Sequence, residues 1–162
     1  MKKNFLSIVV AGVIALSMLA DNTCVYAKEK VQAKKNKETY YLCGIKKGDL
    51  ILWDVCSQCA NTFSVTIKDD NKTYATIGKD DYITELNILS HESALYDGGR
   101  NLRIEVEFDS PSVEIKTAVA SGSIKNEKKN TIGHLYNYSL EDGDDADYND
   151  VSISITSWKK QG

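Results

Sequence analysis

Little in this chain suits the commoner catalytic chemistries. Its 162 residues contain one proline, two histidines, two methionines and three phenylalanines. The histidines, His91 and His134, have neither a nucleophile nor a carboxylate suggested as a partner, and the default for both is a surface position. No Ser/His/Asp arrangement, nucleophile elbow or phosphate-cradling glycine loop is present. Charge is lacking in one direction too. With 20 Lys and Arg against 23 Asp and Glu, the net charge is −3. Such a balance gives no electrostatic pull toward nucleic acid or an anionic membrane surface. Beyond the N-terminal region no apolar run approaches membrane-spanning length, so no membrane insertion is expected.

Residues 1–27 have the composition of an export signal. Lys2 and Lys3 supply the positive end, Phe5 to Ala20 an apolar stretch too short for a comfortable span, and Val25-Tyr26-Ala27 the small residues of a cleavage site. Cleavage after Ala20 is the other choice, disfavoured by Met18 and Leu19. The expected location is outside the cytoplasm: secreted, periplasmic or at the cell surface. Residues 28–39 (KEKVQAKKNKET) are basic and lack apolar periodicity, as in a flexible tail. Residues 40–162 then form one domain.

Of the four cysteines, Cys24 precedes the cleavage point and Cys43, Cys56 and Cys59 follow it. In an oxidising compartment, a structural disulfide between two of these three is expected. Cys56-x-x-Cys59 lacks the further ligands of a zinc site and the βαβ context of a redox motif.

Between residues 40 and 158 the dominant period is two. In Leu102-Arg103-Ile104-Glu105-Val106-Glu107-Phe108 every second residue is apolar and the others are charged, as in a strand with one face in a core. Val113, Ile115 and Val119 continue the pattern beyond the turn at Asp109–Ser112. Val151, Ile153 and Ile155 alternate with Ser152, Ser154 and Thr156. Leu50–Val55, Phe63–Ile67, Tyr74–Ile77 and Ile83–Leu89 are further β-like runs. Turns are expected at Asp69-Asp70-Asn71, Asp97-Gly98-Gly99 and Ser121-Gly122. The fold class is therefore all-β, an antiparallel β-sandwich of about eight or nine short strands.

The chemistry concentrates in Glu141-Asp142-Gly143-Asp144-Asp145-Ala146-Asp147-Tyr148-Asn149-Asp150, with six carboxylates in ten residues. Such crowding is unfavourable unless a cation or open water compensates. Hard calcium takes six to eight oxygen ligands, whereas zinc would want the His or Cys that the run lacks. The spacing fits no EF-hand loop. The run ends directly on the alternating strand from Val151, so its last residues are held by a rigid element rather than by a floppy tail. The same crowding argues against a free, protonated acid for glycoside hydrolysis. No enzymatic activity is expected.

The order Glu-Asp-Gly-x-Asp-x-Asp-Tyr-Asn-Asp before an alternating strand resembles the two-calcium, fucose/mannose-binding bacterial lectins of the LecB type. More weakly, the likeness extends over about residues 48–162. The resemblance implies that Glu141, Asp145, Asp147 and Asp150 hold one calcium ion. Asp147, Asn149 and Asp150 would share a second, with a backbone carbonyl near Gln58 and the terminal carboxylate of Gly162 from a neighbouring subunit. Sugar hydroxyls would complete both coordination shells beside Asp145, Asp147, Asn149 and Asp150, with Asp142 accepting a hydroxyl hydrogen bond. Cys59-Ala60-Asn61 would occupy the loop that sets sugar preference. For the whole protein the resemblance implies a secreted lectin for fucose- or mannose-type monosaccharides, assembled as a homodimer or homotetramer. The alternative is a calcium-stabilised adhesion module without a sugar site.

Overall fold

The computed structural model describes residues 35–160. The expected export signal, most of the expected tail and Gly162 lie outside the described residues. Nine strands follow one another: β1 (Lys37–Tyr41), β2 (Leu50–Ser57), β3 (Phe63–Lys68), β4 (Thr73–Lys79), β5 (Asn87–Leu95), β6 (Arg103–Phe108), β7 (Lys116–Lys125), β8 (Thr131–Glu141) and β9 (Val151–Trp158). They form two sheets, ordered β1-β6-β3-β4 and β5-β2-β9-β8-β7. Every pairing is antiparallel.

The period-two pattern explains the two layers. In β2, Ile51, Trp53 and Val55 are buried while Leu50, Leu52 and Asp54 are not, and β9 buries Val151, Ile153 and Ile155. The facing layer contributes Phe63, Val65 and Ile67 from β3 and Ile104, Val106 and Phe108 from β6. The two sets of inward side chains interdigitate into one core.

The two outer faces differ. On the four-stranded sheet Lys37 pairs with Glu107 at 3.1 Å, Lys68 with Glu105 at 3.1 Å and Arg103 with Glu105 at 2.8 Å. Along β2, β9 and β8 of the other sheet, the outward positions run Leu50, Leu52, Asp54, Cys56; Ser152, Ser154, Thr156, Trp158; and Leu135, Asn137, Ser139. Asp54 is the one charged residue among them, and it is hydrogen-bonded to His91.

Several expectations are corrected. The strand expected at Ile83–Leu89 begins at Asn87 and runs to Leu95. As an edge strand, β5 has no buried residue, so no alternation marked its second half. Ser121-Gly122 is no turn but the middle of β7, another edge strand. β8 did not stand out because its inward parity carries a histidine, His134, ahead of Tyr136, while the outward position between them is the apolar Leu135. Its strand character is carried by Tyr136, Tyr138 and Leu140. His134 therefore lies within β8, half-buried, and His91 within β5 beside Asp54. β1 begins at Lys37, so residues 37–39 of the expected tail pair with Glu105 to Glu107 of β6.

The cysteine expectation is also corrected. Cys56 and Cys59 are free thiols, and the disulfide-bonded Cys43 is joined to neither of them. Cys56 lies on the outward face of β2 and Cys59 is buried beyond the strand's end. Their side chains are thus on opposite sides of the sheet.

Trp53, 2% exposed, packs in the core with its indole N–H donating to the Ser90 hydroxyl at 3.1 Å. Trp53→Ala is expected to destabilise the fold by roughly 3–5 kcal/mol. Leu95→Ser, at an edge position 63% exposed, should change stability by less than about 0.5 kcal/mol. Urea denaturation of both variants checks the pair.

Candidate functional site

β8 and β9 are neighbours, with Leu140 opposite Val151. The chain leaving β8 at Glu141 therefore returns only one strand spacing away, about 5 Å. The intervening residues far exceed what a tight hairpin needs, and the excess is coiled against the sheet end. Ala146 and Tyr148 have φ of 59° and 55°. That left-handed conformation costs a residue with a Cβ roughly 1 kcal/mol or more and needs local compensation. Glu141 supplies some. Its Oε2 accepts the Tyr148 amide at 3.1 Å and its Oε1 accepts the Gly143 amide at 2.8 Å.

Glu141 is completely buried. Among the described residues its carboxylate forms no ion pair. A buried carboxylate without a counter-charge is unfavourable unless a cation joins it. Two more acidic side chains make the arrangement more demanding, since carboxylate oxygens of Glu141, Asp145 and Asp147 all lie within 4.8 Å of one another. Calcium–oxygen distances of 2.3–2.6 Å allow oxygens on opposite sides of one ion to be about 5 Å apart. These residues therefore fit a hard divalent cation in both donor chemistry and spacing. Each Glu141 oxygen has a second lone pair beyond the one its amide partner uses.

A second group adjoins the first. Asp150 Oδ2 accepts the Asp142 amide at 2.6 Å. Oxygens of Asp142 and Asp150 lie within 4.8 Å of the Cys59 sulfur and of each other. Burial, together with the charges of Asp142 and Glu141, pushes the Asp150 carboxyl up to about 7. Burial also raises the Cys59 thiol, with Asp142 and Asp150 adding to the rise and the Ser57 hydroxyl opposing it. Cys59 is thus a neutral thiol, a poor metal ligand.

The loop after β2 reaches this group from the other side. The Gln58 amide donates to the Asp150 carbonyl at 2.9 Å, and Asn61 Nδ2 donates to Asp142 Oδ2 at 2.9 Å. Ala60 is exposed. The structure thus gathers Gln58, Cys59 and Asn61 with Asp142 and Asp150, and separately Glu141 with Asp145 and Asp147. Asp150 falls in the group with Asp142, and its carboxyl also hydrogen-bonds the Glu141 side chain, so the two groups adjoin. Asn149 turns both its backbone and side-chain amides toward Asp147.

Lys116 was not apparent from sequence. It stands opposite Glu141 in the β7–β8 register, and its ammonium donates to the Gly143 carbonyl at 2.7 Å and to Asp144 at 2.9 Å. That contact raises the Lys116 pKa and lowers that of Asp144. Asp144 is thereby held on the outer side of the loop, apart from both groups. Only the strand pairing, across 28 positions, could have revealed it.

A family model described as "Fucose-binding lectin II (PA-IIL)" matches residues 45–160. Among solved structures, the Chromobacterium violaceum lectin CV2L in complex with alpha-methyl-fucoside is similar, with a TM-score of 0.50 at 19% identity, covering 76% of this chain and 96% of that one. At this identity the likeness establishes the fold. The Ralstonia solanacearum high-affinity mannose-binding lectin gives a TM-score of 0.49 at 19% identity, covering 76% of this chain and 96% of its own. The C-terminal domain of the BC2L-C lectin from Burkholderia cenocepacia gives 0.49 at 21% identity, with the same coverage. No curated protein matches the chain.

The raised Asp150 pKa has a signed consequence for the protein kept in chelator. Unfolded, Asp150 loses its proton near 4. Folded, it keeps the proton until about 7. Between those values the folded state binds more protons, so raising the pH favours unfolding through this group. Asp150→Asn is expected to gain stability relative to the wild type as pH rises from about 4 to about 7, with the difference level above that. Denaturation of both proteins across this range measures it.

Proposed function

We propose, for a chain that belongs to the fucose-binding lectin II (PA-IIL) family, that its acidic loop holds two calcium ions and docks a fucose- or mannose-type monosaccharide against them. The family's activity is binding, not turnover. The observation that carries the reading is the fully buried Glu141, without an ion pair among the described residues, beside oxygens of Asp145 and Asp147 within 4.8 Å.

Glu141, Asp145 and Asp147 would hold one ion, with Asp150 joining once its proton is lost. Asp147, Asn149 and Asp150 would hold the other, with the carbonyl near Gln58 and the terminal carboxylate of Gly162 from a neighbouring subunit. Calcium supplies open coordination positions that sugar hydroxyls fill in place of water. The protein's own part is positioning. Backbone amides fix both Glu141 oxygens, and Asn61 orients the Asp142 carboxylate to accept a sugar hydroxyl. Cys59 and Ala60 flank that contact.

A homodimer or homotetramer is part of the proposal. The outward positions along β2, β9 and β8 carry one charge, while the other sheet's outer face is laced with ion pairs. Depletion of charge with exposed Leu135 and Trp158 suits a face packed on a second copy. Export rests on the charged, apolar and small-residue order of residues 1–27, which fits a secreted or surface-bound lectin.

Calcium should raise the melting temperature and chelator should reverse the gain. Titration calorimetry of the calcium-loaded protein with methyl fucoside and methyl mannoside tests binding itself. Asp147→Ala is expected to abolish calcium stabilisation and sugar binding together. Asp142→Ala should weaken sugar binding about tenfold, the loss of one hydrogen bond to a charged acceptor, with calcium stabilisation intact. Calcium stabilisation without binding of any sugar would leave calcium as a staple for an adhesion module.

For the assembly, sedimentation should give a dimer or tetramer for the wild type and a smaller species for Leu135→Lys, which places a charge in the proposed contact.

A further inference from the structure

The outer face of the five-stranded sheet holds one acid–imidazole pair, and the strand register places it. His91 is opposite Asp54, Asp54 opposite Ser154, and Ser154 opposite Asn137. These four form a polar row across β5, β2, β9 and β8. The row nearer the acidic loop contains Ile88 and Cys56, and the row on the other side contains Leu52 and Leu135. Neither neighbouring row contains a charged residue. The pair therefore stands within the face proposed above to meet a second copy, with uncharged side chains on both sides of it along the strands.

The Asp54 carboxylate is hydrogen-bonded to His91 Nδ1. In a single copy both side chains meet solvent, Asp54 at 48% exposure and His91 at 79%. Little else that is charged faces the imidazole. From β2 there are Asp54 and, one row away, the Cys56 thiol. On β5 itself, Glu92 lies opposite Trp53 and so points to the other side of the strand. Asp80, Asp81 and Glu85 precede the strand, and Lys79 at the end of β4 is buried against Asp81.

A second copy laid on this face acts on the charge state of the pair. With neutral imidazoles, a two-fold contact encloses two uncompensated carboxylates, and taking them out of water is unfavourable. With protonated imidazoles each pair is neutral overall, and its hydrogen bond is charge-assisted. The contact thus favours the protonated form. Even in one copy, the hydrogen bond from Asp54 and its charge hold the His91 pKa above the ordinary 6.5.

We propose that the contact between copies takes up protons at the His91–Asp54 pair, so that assembly tightens in acid and loosens as the pH rises through neutrality. This inference rests on the assembly reading above and adds its control. A group whose pKa is higher in the assembly strengthens association below its single-copy pKa, and that contribution is lost as the pH passes the assembled value. The other histidine does not imitate the effect. His134 lies in β8, where burial and the Lys159 charge hold its pKa below the ordinary value, so it stays neutral across this range.

Sedimentation of the calcium-loaded protein near pH 6 and near pH 8 measures the dissociation constant between copies. The wild type is expected to associate about tenfold more tightly near pH 6, since two pairs per contact titrate together. Asp54→Asn should reverse the sign, because the imidazolium is then the charge carried into the contact, and association tightens near pH 8. His91→Gln leaves the carboxylate uncompensated, so association should match the weaker, pH 8 level of the wild type at both values. Both positions are exposed, and circular dichroism checks that the fold is kept. A wild-type constant that is equal at the two pH values, or an Asp54→Asn variant that still tightens in acid, overturns the proposal while leaving the assembly reading intact. Association that Leu135→Lys leaves unchanged places the contact elsewhere and overturns the proposal as well. A wild type that sediments as a monomer at both pH values overturns the assembly reading, and the proposal with it.

Discussion

Glu141 places a carboxylate fully out of reach of bulk solvent, at the last residue of a strand whose neighbour restarts only one strand spacing away. Much of the loop's form answers that constraint. Its carboxylate is satisfied by two backbone amides, and one of them comes from a residue with left-handed backbone. Satisfying the oxygens does not neutralise the charge, and the loop brings Asp145 and Asp147 closer rather than keeping them away. The cation nearest in the register, Lys116, is engaged with Asp144 and the Gly143 carbonyl instead. A sequence that wanted only a stable hairpin would place an apolar side chain here. What remains is a nest of oxygens whose unfavourable electrostatics a divalent ion, as proposed, would make favourable.

That nest needs a scaffold that does not yield, and the sandwich supplies one. β8 and β9 are interior strands of the five-stranded sheet, flanked by β7 and β2. Edge strands take the exposed, less regular sequences, while interior strands carry the side chains that fill the core. Loops from β2, β4 and β8 meet at one pole because antiparallel neighbours bring alternate connections to the same end. The site is therefore assembled from segments far apart in the chain. Asn61 and Asp142, 81 positions apart, are joined by one hydrogen bond.

How much of this the sequence revealed depends on the same division. Interior strands with one wet face, such as β2, β3, β6 and β9, could be read directly because burial imposes alternation on them. β5 and β7 could not, since an edge strand is held by backbone hydrogen bonds that leave little trace in side-chain type. β8 was hidden for another reason, its first half placing polar His134 on the inward parity and apolar Leu135 on the outward one. Within the site, the acidic run was visible because its density of charge is unusual over a short span. Its division into two groups was not, because backbone conformation at Ala146 and Tyr148 decides which carboxylates converge. That both Cys56 and Cys59 are free was not legible, because a spacing of three residues does not say on which side of the sheet each lies. In a strand that runs into a loop, it puts one cysteine outside and the other inside.

The buried thiol bears on how the proposed site would tell one sugar from another. Cys59 stands first in the triplet that the resemblance assigns to sugar preference, yet its sulfur points inward, near the Ser57 hydroxyl and the Asn61 carbonyl. Only Ala60 and Asn61 remain to face a ligand. Ala60 has no polar atom on its side chain, and the Asn61 amide is already committed to Asp142. Discrimination by this loop would then act through the Asn61–Asp142 pair, which sets the direction in which the carboxylate accepts a hydroxyl. Cys59 serves as a neutral floor beneath that pair. A charged or bulky residue there would add to the crowding around Asp142 and Asp150 or force the loop outward, whereas a small thiol kept protonated by burial does neither.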